Sequence, residues 1–410
     1  MKKERAEGVQ IASLKRLLSY AYQNVPYYHK VFKKVNLKPN DIKNIEVLRK
    51  LPVLKRTHVA TMSKELISKN FPGKVYRCKT SGTTSIPIEF YRSHDDYCWG
   101  TAAMLRAFQW AGFKVGDKQA TICGLRQYEL NRPLFKIRNM LTRRLVISVF
   151  QFSHSTTGLL SSRLRRYDPQ FIIGYASALH LLAKYCLDEG LETAKPKAVF
   201  STSSKLLPSW RKIIEKVFCC DVYDVYGSRE MSTIASECPK HSGLHVASEH
   251  VFLEFVKDGE HVAPGETGKV LVTNLHNYAM PFIRYDIGDL GKPSNESCPC
   301  GRSLPLIESI EGRTYEIFMT GDGSFTTLRG LDTFFENLPV KEYQIIQNAP
   351  DEIHVKVVKD RGYVQKHTKF IAKNIKWVGK ANITVETVDS IPLERSGKKR
   401  YLTSKVKTNM

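Results

Sequence analysis

The segment Asp224-Val225-Tyr226-Gly227-Ser228-Arg229-Glu230 places an aromatic ring, a flexible glycine, a hydroxyl, a cation and a carboxylate within one turn. Such a loop can stack a base on Tyr226 and hold Mg²⁺ through the oxygens of Glu230. A strand-to-helix connection with Ser228 as a cap is the plainer reading. Thr80-Ser81-Gly82-Thr83-Thr84-Ser85 is a hydroxyl-rich loop with one glycine, able to wrap phosphates with backbone N–H and side-chain O–H donors. No Gly-Lys-Ser/Thr closes it, so it is not a Walker loop, and an ordinary polar turn between strands is the alternative. In Arg284-Tyr285-Asp286-Ile287-Gly288-Asp289 the last carboxylate follows a glycine turn and can accept both hydrogen bonds of a ribose diol. Glu311-Gly312-Arg313 and Ser396-Gly397-Lys398 add further cations beside glycines.

A second chemistry lies in Cys238-Pro239-Lys240-His241, His245 and Cys298-Pro299-Cys300. Three thiols and one imidazole, His241 or His245, match the donor set of a closed tetrahedral Zn²⁺ site. Four protein ligands leave no open position, so such a metal staples loops and does no catalysis. Nine cysteines in 410 residues, with Cys219 and Cys220 adjacent, do not resemble a secreted disulfide framework.

The elements that must position these groups follow from periodicity. Ile11, Leu14, Leu17, Leu18 and Ala21 recur at helical spacing and stop at Val25-Pro26. Tyr76 to Phe90 reads as strand, turn, strand. From residue 95 to 300, apolar helical stretches (Tyr97–Trp110, Leu159–Tyr167, Ala176–Leu187) alternate with strand-like runs at Ala120–Cys123, Phe171–Tyr175, Ala198–Thr202 and Asp221–Tyr226. That alternation predicts an α/β body. His250–Val256 and Gly268–Asn274 alternate in period two around Pro264-Gly265, predicting a β-barrel-like subdomain. Strands at 343–347, 352–358 and 382–388 around a helix at 363–376 predict a small α+β unit, with a boundary near Gly312-Arg313. The domains expected are therefore 1–312 and 313–410.

Lys plus Arg total 63 against 40 Asp plus Glu, a net charge of +23 that concentrates anionic partners such as nucleotides, nucleic acid or a membrane surface. The basic residues are spread along the chain, so charge alone selects none of these. No run approaches the ~18 apolar residues of a membrane helix. The start Met1-Lys2-Lys3-Glu4-Arg5 has no secretory signature, so a cytoplasmic location is expected.

Taken in order, Thr-Ser-Gly-Thr-Thr, Tyr-Gly-Ser-x-Glu, Arg-Tyr-x-x-Gly-Asp, Gly-Arg and Ser-Gly-Lys-Lys-Arg resemble the sequential core motifs of the adenylate-forming superfamily. Asn24-Val25-Pro26-Tyr27-Tyr28, Leu51-Pro52-Val53-Leu54 and Ile173-Gly174-Tyr175-Ala176-Ser177 further resemble the phenylacetate-CoA ligase group, including members from capsular-polysaccharide loci. The resemblance spans almost the whole chain. It implies that Ser81, Gly82, Thr83 and Thr84 cradle ATP phosphates, that Tyr226, Gly227 and Ser228 line the adenine site, and that Glu230 binds Mg²⁺. It also implies that Asp289 and Arg313 hold the ribose and that Lys398 is the adenylation lysine, on a small mobile C-terminal lid. Relatives with a similar Cys-x-Cys-Gly-Arg stretch also carry Gly-Leu-His, which here is Gly243-Leu244-His245 and makes His245 the fourth metal ligand with Cys238, Cys298 and Cys300. The chain departs from the family pattern at Ser85, Ser204 and Thr314-Tyr315-Glu316, none of which removes a charge-stabilising group.

The resemblance implies an acid-thiol ligase that joins a small carboxylic acid to AMP at the expense of ATP, releases pyrophosphate and passes the acyl group to coenzyme A. A sugar, amine or carrier-protein acceptor in surface-polysaccharide synthesis is the alternative within this chemistry. A basic nucleic-acid-binding or scaffold protein is the alternative outside it, and nucleic acid is the less expected partner. A homodimer is allowed for.

Overall fold

A computed structural model describes residues 3–42, 45–80, 88–125, 127–152, 154–313, 317–319, 325–327, 334–335, 337–375, 381–394 and 399–406. Its centre is a 12-stranded sheet. One half is parallel and runs in the order Val222–Ser228, Ala198–Thr202, Phe171–Tyr175, Gln119–Cys123, Arg144–Ser148. These short strands read as continuous apolar runs because helices cover both faces. The helix Ala176–Asp188 buries Ala176, Leu179, Leu182, Ala183 and Cys186, the spacing of one helical face, and packs on the helix Pro208–Phe218. On the other face the helix His94–Trp110 presents Phe108, which stacks on Phe200 at 3.9 Å between centroids.

The other half is antiparallel and joins the first through a tight reversal between Val222–Ser228 and Ser232–Glu237. It continues through Leu244–Val246, Leu306–Arg313, Tyr285–Ser294, Gly268–Asn274 and Val251–Lys257 to Glu260–His261. The N-terminal helices Lys3–Asn24 and Pro26–Lys34 bury Leu14, Leu17, Leu18, Tyr28 and Phe32 against this half. The hairpin of Val75–Lys79 and Glu89–Ser93, expected from the sequence, forms a separate two-stranded sheet.

Residues 340 to 404 build a four-stranded sheet in the order Asn382–Val388, Glu352–Lys359, Val340–Ala349, Leu402–Ser404, covered by the helix Gln365–Asn374. Ile353, Val355 and Val357 alternate inward, as a strand with one buried face demands. The polar ending, which periodicity leaves unassigned, supplies the edge strand Leu402–Ser404, parallel to Val340–Ala349. This unit has its own core around Phe318, Phe335, Ile345 and Ile371. It meets the body where Tyr401 lies edge-on to Trp210, with ring centroids 5.1 Å apart. Among the described residues no helix is long and apolar enough to cross a membrane.

Candidate active site

Parallel strands present their carboxyl ends to one edge of the sheet, where open α/β folds bind ligands. The strand Val222–Ser228 delivers Asp224, Tyr226, Gly227 and Ser228 there and then reverses through Arg229-Glu230-Met231. Glycine is required at 227, because a Cβ there would lie 2.2 Å from the Ser232 carbonyl oxygen. Tyr226 donates its hydroxyl to Asp289 Oδ2 at 2.8 Å, linking two motifs 63 residues apart. Asp289 follows Gly288, which has a φ of 80° and donates its N–H to Asp286 Oδ1. The backbone of Asp289 also pairs with Arg313, so the third and fourth sequence motifs are neighbouring rungs of one ladder.

Glu230 is buried, and among the described residues its hydrogen bonds fall on Oε1: one from Arg56 Nη1 at 3.0 Å, one from the Tyr285 hydroxyl at 3.3 Å. Arg56 Nη2 also donates to Thr80 Oγ1 at 2.5 Å, and Thr80 accepts the Ile88 N–H across the mouth of the hydroxyl-rich loop. Arg56 is in place because Leu54 bridges to the site from both sides: its N–H donates to the Arg284 carbonyl, and its carbonyl accepts from Asp286 N–H. Arg284, buried on Glu254, donates to the carbonyls of Arg49 and Leu51. The Leu51–Leu54 segment and the Arg-Tyr-x-x-Gly-Asp motif are thus one unit.

Beside Tyr226 and Asp289 lies a cavity of about 310 Å³, lined also by Ser204, Asp224, Gly312 and Lys399. The Ser204 hydroxyl is buried there with no hydrogen-bond partner among the described residues. The Asp224 carboxyl is pushed up to about 7, mainly by burial and then by the neighbouring Glu237. Glu237 is gripped by Arg211 through two bonds of 2.8 Å and lies 3.1 Å from His241 Nδ1. Lys399, on the small unit, pairs with Glu342. Ser81, Gly82, Thr83, Thr84 and Lys398 lie outside the described residues, as does the side chain of Arg313; Thr80 and Lys399 mark where the chain enters and leaves those segments.

Sequence reasoning missed Arg56, Arg211 and Glu237, and it gave Asp224 no role. The polar pair Lys55-Arg56, directly after an apolar Pro-containing segment, was the one local signal for Arg56.

The cysteine motifs converge at a second place. The ligand atoms of Cys238, His245, Cys298 and Cys300 lie within 4.8 Å of one another. Cys238 and Cys298 sulfurs are 3.6 Å apart, too far for a disulfide, and Cys300 Sγ is 3.3 Å from His245 Nε2. Two sulfurs of a tetrahedral zinc site with Zn–S bonds of about 2.3 Å sit about 3.8 Å apart. Of the two candidate imidazoles, the structure turns His241 towards Glu237 and puts His245 in the cluster.

Residues 318–405 match the family model of the CapK C-terminal domain. Protein CapK of Staphylococcus aureus is 25% identical over 95% of this chain and 87% of its own length. The phenylacetate-coenzyme A ligase of Thermus thermophilus is 22% identical over 88% of this chain and 79% of its own length. The crystal structure of a 2-hydroxyisobutyryl-CoA ligase in the postadenylation state, in complex with R3-HIB-AMP, superposes over 99% of this chain and 90% of its own. The TM-score is 0.80 at 18% identity. The fold is that of the adenylate-forming ligases. The large sheet and the small unit therefore belong to an architecture shared with that ligase.

Proposed function

We propose that this chain activates a small carboxylic acid with ATP, forms an acyl adenylate, releases pyrophosphate and transfers the acyl group to coenzyme A. The observation that carries this reading is the Tyr226–Asp289 hydrogen bond. It assembles an aromatic face and a diol-binding carboxylate beside a 310 Å³ cavity at the carboxyl edge of the sheet. Tyr226 offers its ring to adenine, Asp289 and Arg313 hold the ribose, and Ser81, Gly82, Thr83 and Thr84 surround the phosphates. The orphaned Ser204 hydroxyl supplies one more donor for the nucleotide. The attacking carboxylate is already ionised, so no general base is needed; the reaction needs in-line placement and neutralisation of charge. Residues 1–312 form the body and 313–410 the lid, which brings the Lys398 ammonium to the α-phosphate.

Glu230 suits Mg²⁺, because among the described residues Arg56 and Tyr285 bond Oε1 of its carboxylate and none bonds Oε2. When bound, the cation neutralises phosphate charge. The match of residues 318–405 to the CapK model keeps a sugar, amine or carrier-protein acceptor as the second reading for the transfer step. ATP–pyrophosphate exchange over aryl, fatty, hydroxy and amino acids tests the first step, and exchange with none of them in folded, ATP-binding protein would overturn it. Release of AMP with coenzyme A consumption separates the two acceptors.

At the second cluster, three thiols and one imidazole fit structural Zn²⁺ held by Cys238, His245, Cys298 and Cys300. The metal would tie the turn after Ser232–Glu237 to the loop before Leu306–Arg313.

A further inference from the structure

The helix Pro133–Leu141 crosses between two parallel strands, Gln119–Cys123 and Arg144–Ser148, the latter at the sheet's edge. It buries Asn139 and turns most of its apolar side chains outward: Leu134, Ile137, Met140 and Leu141 are 82%, 51%, 71% and 74% exposed. At 3.6 residues per turn these four fill an arc of about 120°, with Lys136 at one flank and Arg138 at the other. Arg132 and Arg143, both exposed, stand at the two ends. Among the described residues none of these four cations has a carboxylate within ion-pair distance.

An apolar arc bounded by cations on both sides is the geometry of a helix lying in the headgroup plane, apolar side down and cations at phosphate level. A second copy of this chain is disfavoured as the occupant, since it would bring two cationic rims together in a molecule of net charge +23. Anionic lipid complements both features at once, and each basic side chain adds to the attraction. We propose that the helix Pro133–Leu141 seats this protein on an anionic membrane surface. The docked face lies on the connection leaving the carboxyl end of Gln119–Cys123, the sheet edge that also carries the candidate active site.

Flotation of the full chain with phosphatidylcholine vesicles, with and without about 30 mol% phosphatidylglycerol, tests this. Binding should require phosphatidylglycerol and weaken with salt. The triple change Leu134→Ser, Ile137→Ser, Leu141→Ser should lower partitioning by about tenfold or more, since three apolar side chains no longer enter the interface. Lys136→Glu with Arg138→Glu should abolish binding to the phosphatidylglycerol vesicles. Both variants should keep the wild-type melting temperature, because the altered side chains are exposed. Absence of wild-type binding, undiminished binding of the serine variant, or a wild-type dimer that the serine variant dissolves would each overturn the proposal.

Discussion

Arg56 bonds Glu230 at 3.0 Å across 174 residues of sequence while its other nitrogen holds Thr80. The proposed magnesium carboxylate and the root of the phosphate loop are therefore coupled through one guanidinium. Removing one partner of a mostly buried ion pair leaves the other charge stranded. Arg56→Ala should cost about 2–3 kcal/mol in urea unfolding and raise the KM for ATP. Arg56→Lys should restore part of the stability but not the two-pronged link. A loss under about 0.5 kcal/mol would mean that Glu230 does not depend on Arg56.

Lys398 is the cation we propose for the adenylation step. Lys398→Ala should slow acyl-adenylate formation by about 10²-fold or more, the usual consequence of losing one group that stabilises transition-state charge. Thioester formation from supplied acyl adenylate should persist. Equal loss of both half-reactions in single-turnover assays would remove Lys398 from the first step.

The thiol and imidazole cluster should bring one zinc per chain through purification, measured by elemental analysis. Cys298→Ser should lose that metal and melt several degrees lower, because the two loops then close without a cross-link. A metal-free wild type with an unchanged melting temperature in chelator would show the cluster to be a set of buried thiols.

Asp224 gives stability a pH dependence of definite sign. Its carboxyl titrates at about 7 in the fold, against about 3.9 in an unfolded chain. Between these values the folded chain holds a proton that the unfolded chain has released. The stability tied to that proton is whole below pH ~4, declines up to pH ~7 and is gone above. Asp224→Asn should therefore melt higher than wild type at pH 8, with the gap closing as the pH falls towards 4. A gap that is constant with pH would mean that Asp224 is ionised throughout.

The local grouping of residues was legible in the sequence. Tyr226, Gly227 and Glu230 are close neighbours along the chain, as are Gly288 and Asp289, and the alternation of Ile353, Val355 and Val357 announces its strand. What periodicity does not carry is pairing. The continuity of the twelve strands, the parallel docking of Leu402–Ser404 from a polar tail, and the Arg56–Glu230 contact all depend on partners distant in sequence. The helix Pro133–Leu141 is absent from the sequence reading, and its apolar stripe faces out.

Trp210 sits between His180, stacked on it at 4.8 Å, and Tyr401 of the small unit. Burial and the nearby lysines hold His180 down to about 3, so its ring is neutral, and a non-quenching neighbour, at any working pH. The indole is thus a built-in optical gauge. With the other three of the chain's four tryptophans replaced, its emission would report any change in the Trp210–Tyr401 contact, with no dye attached.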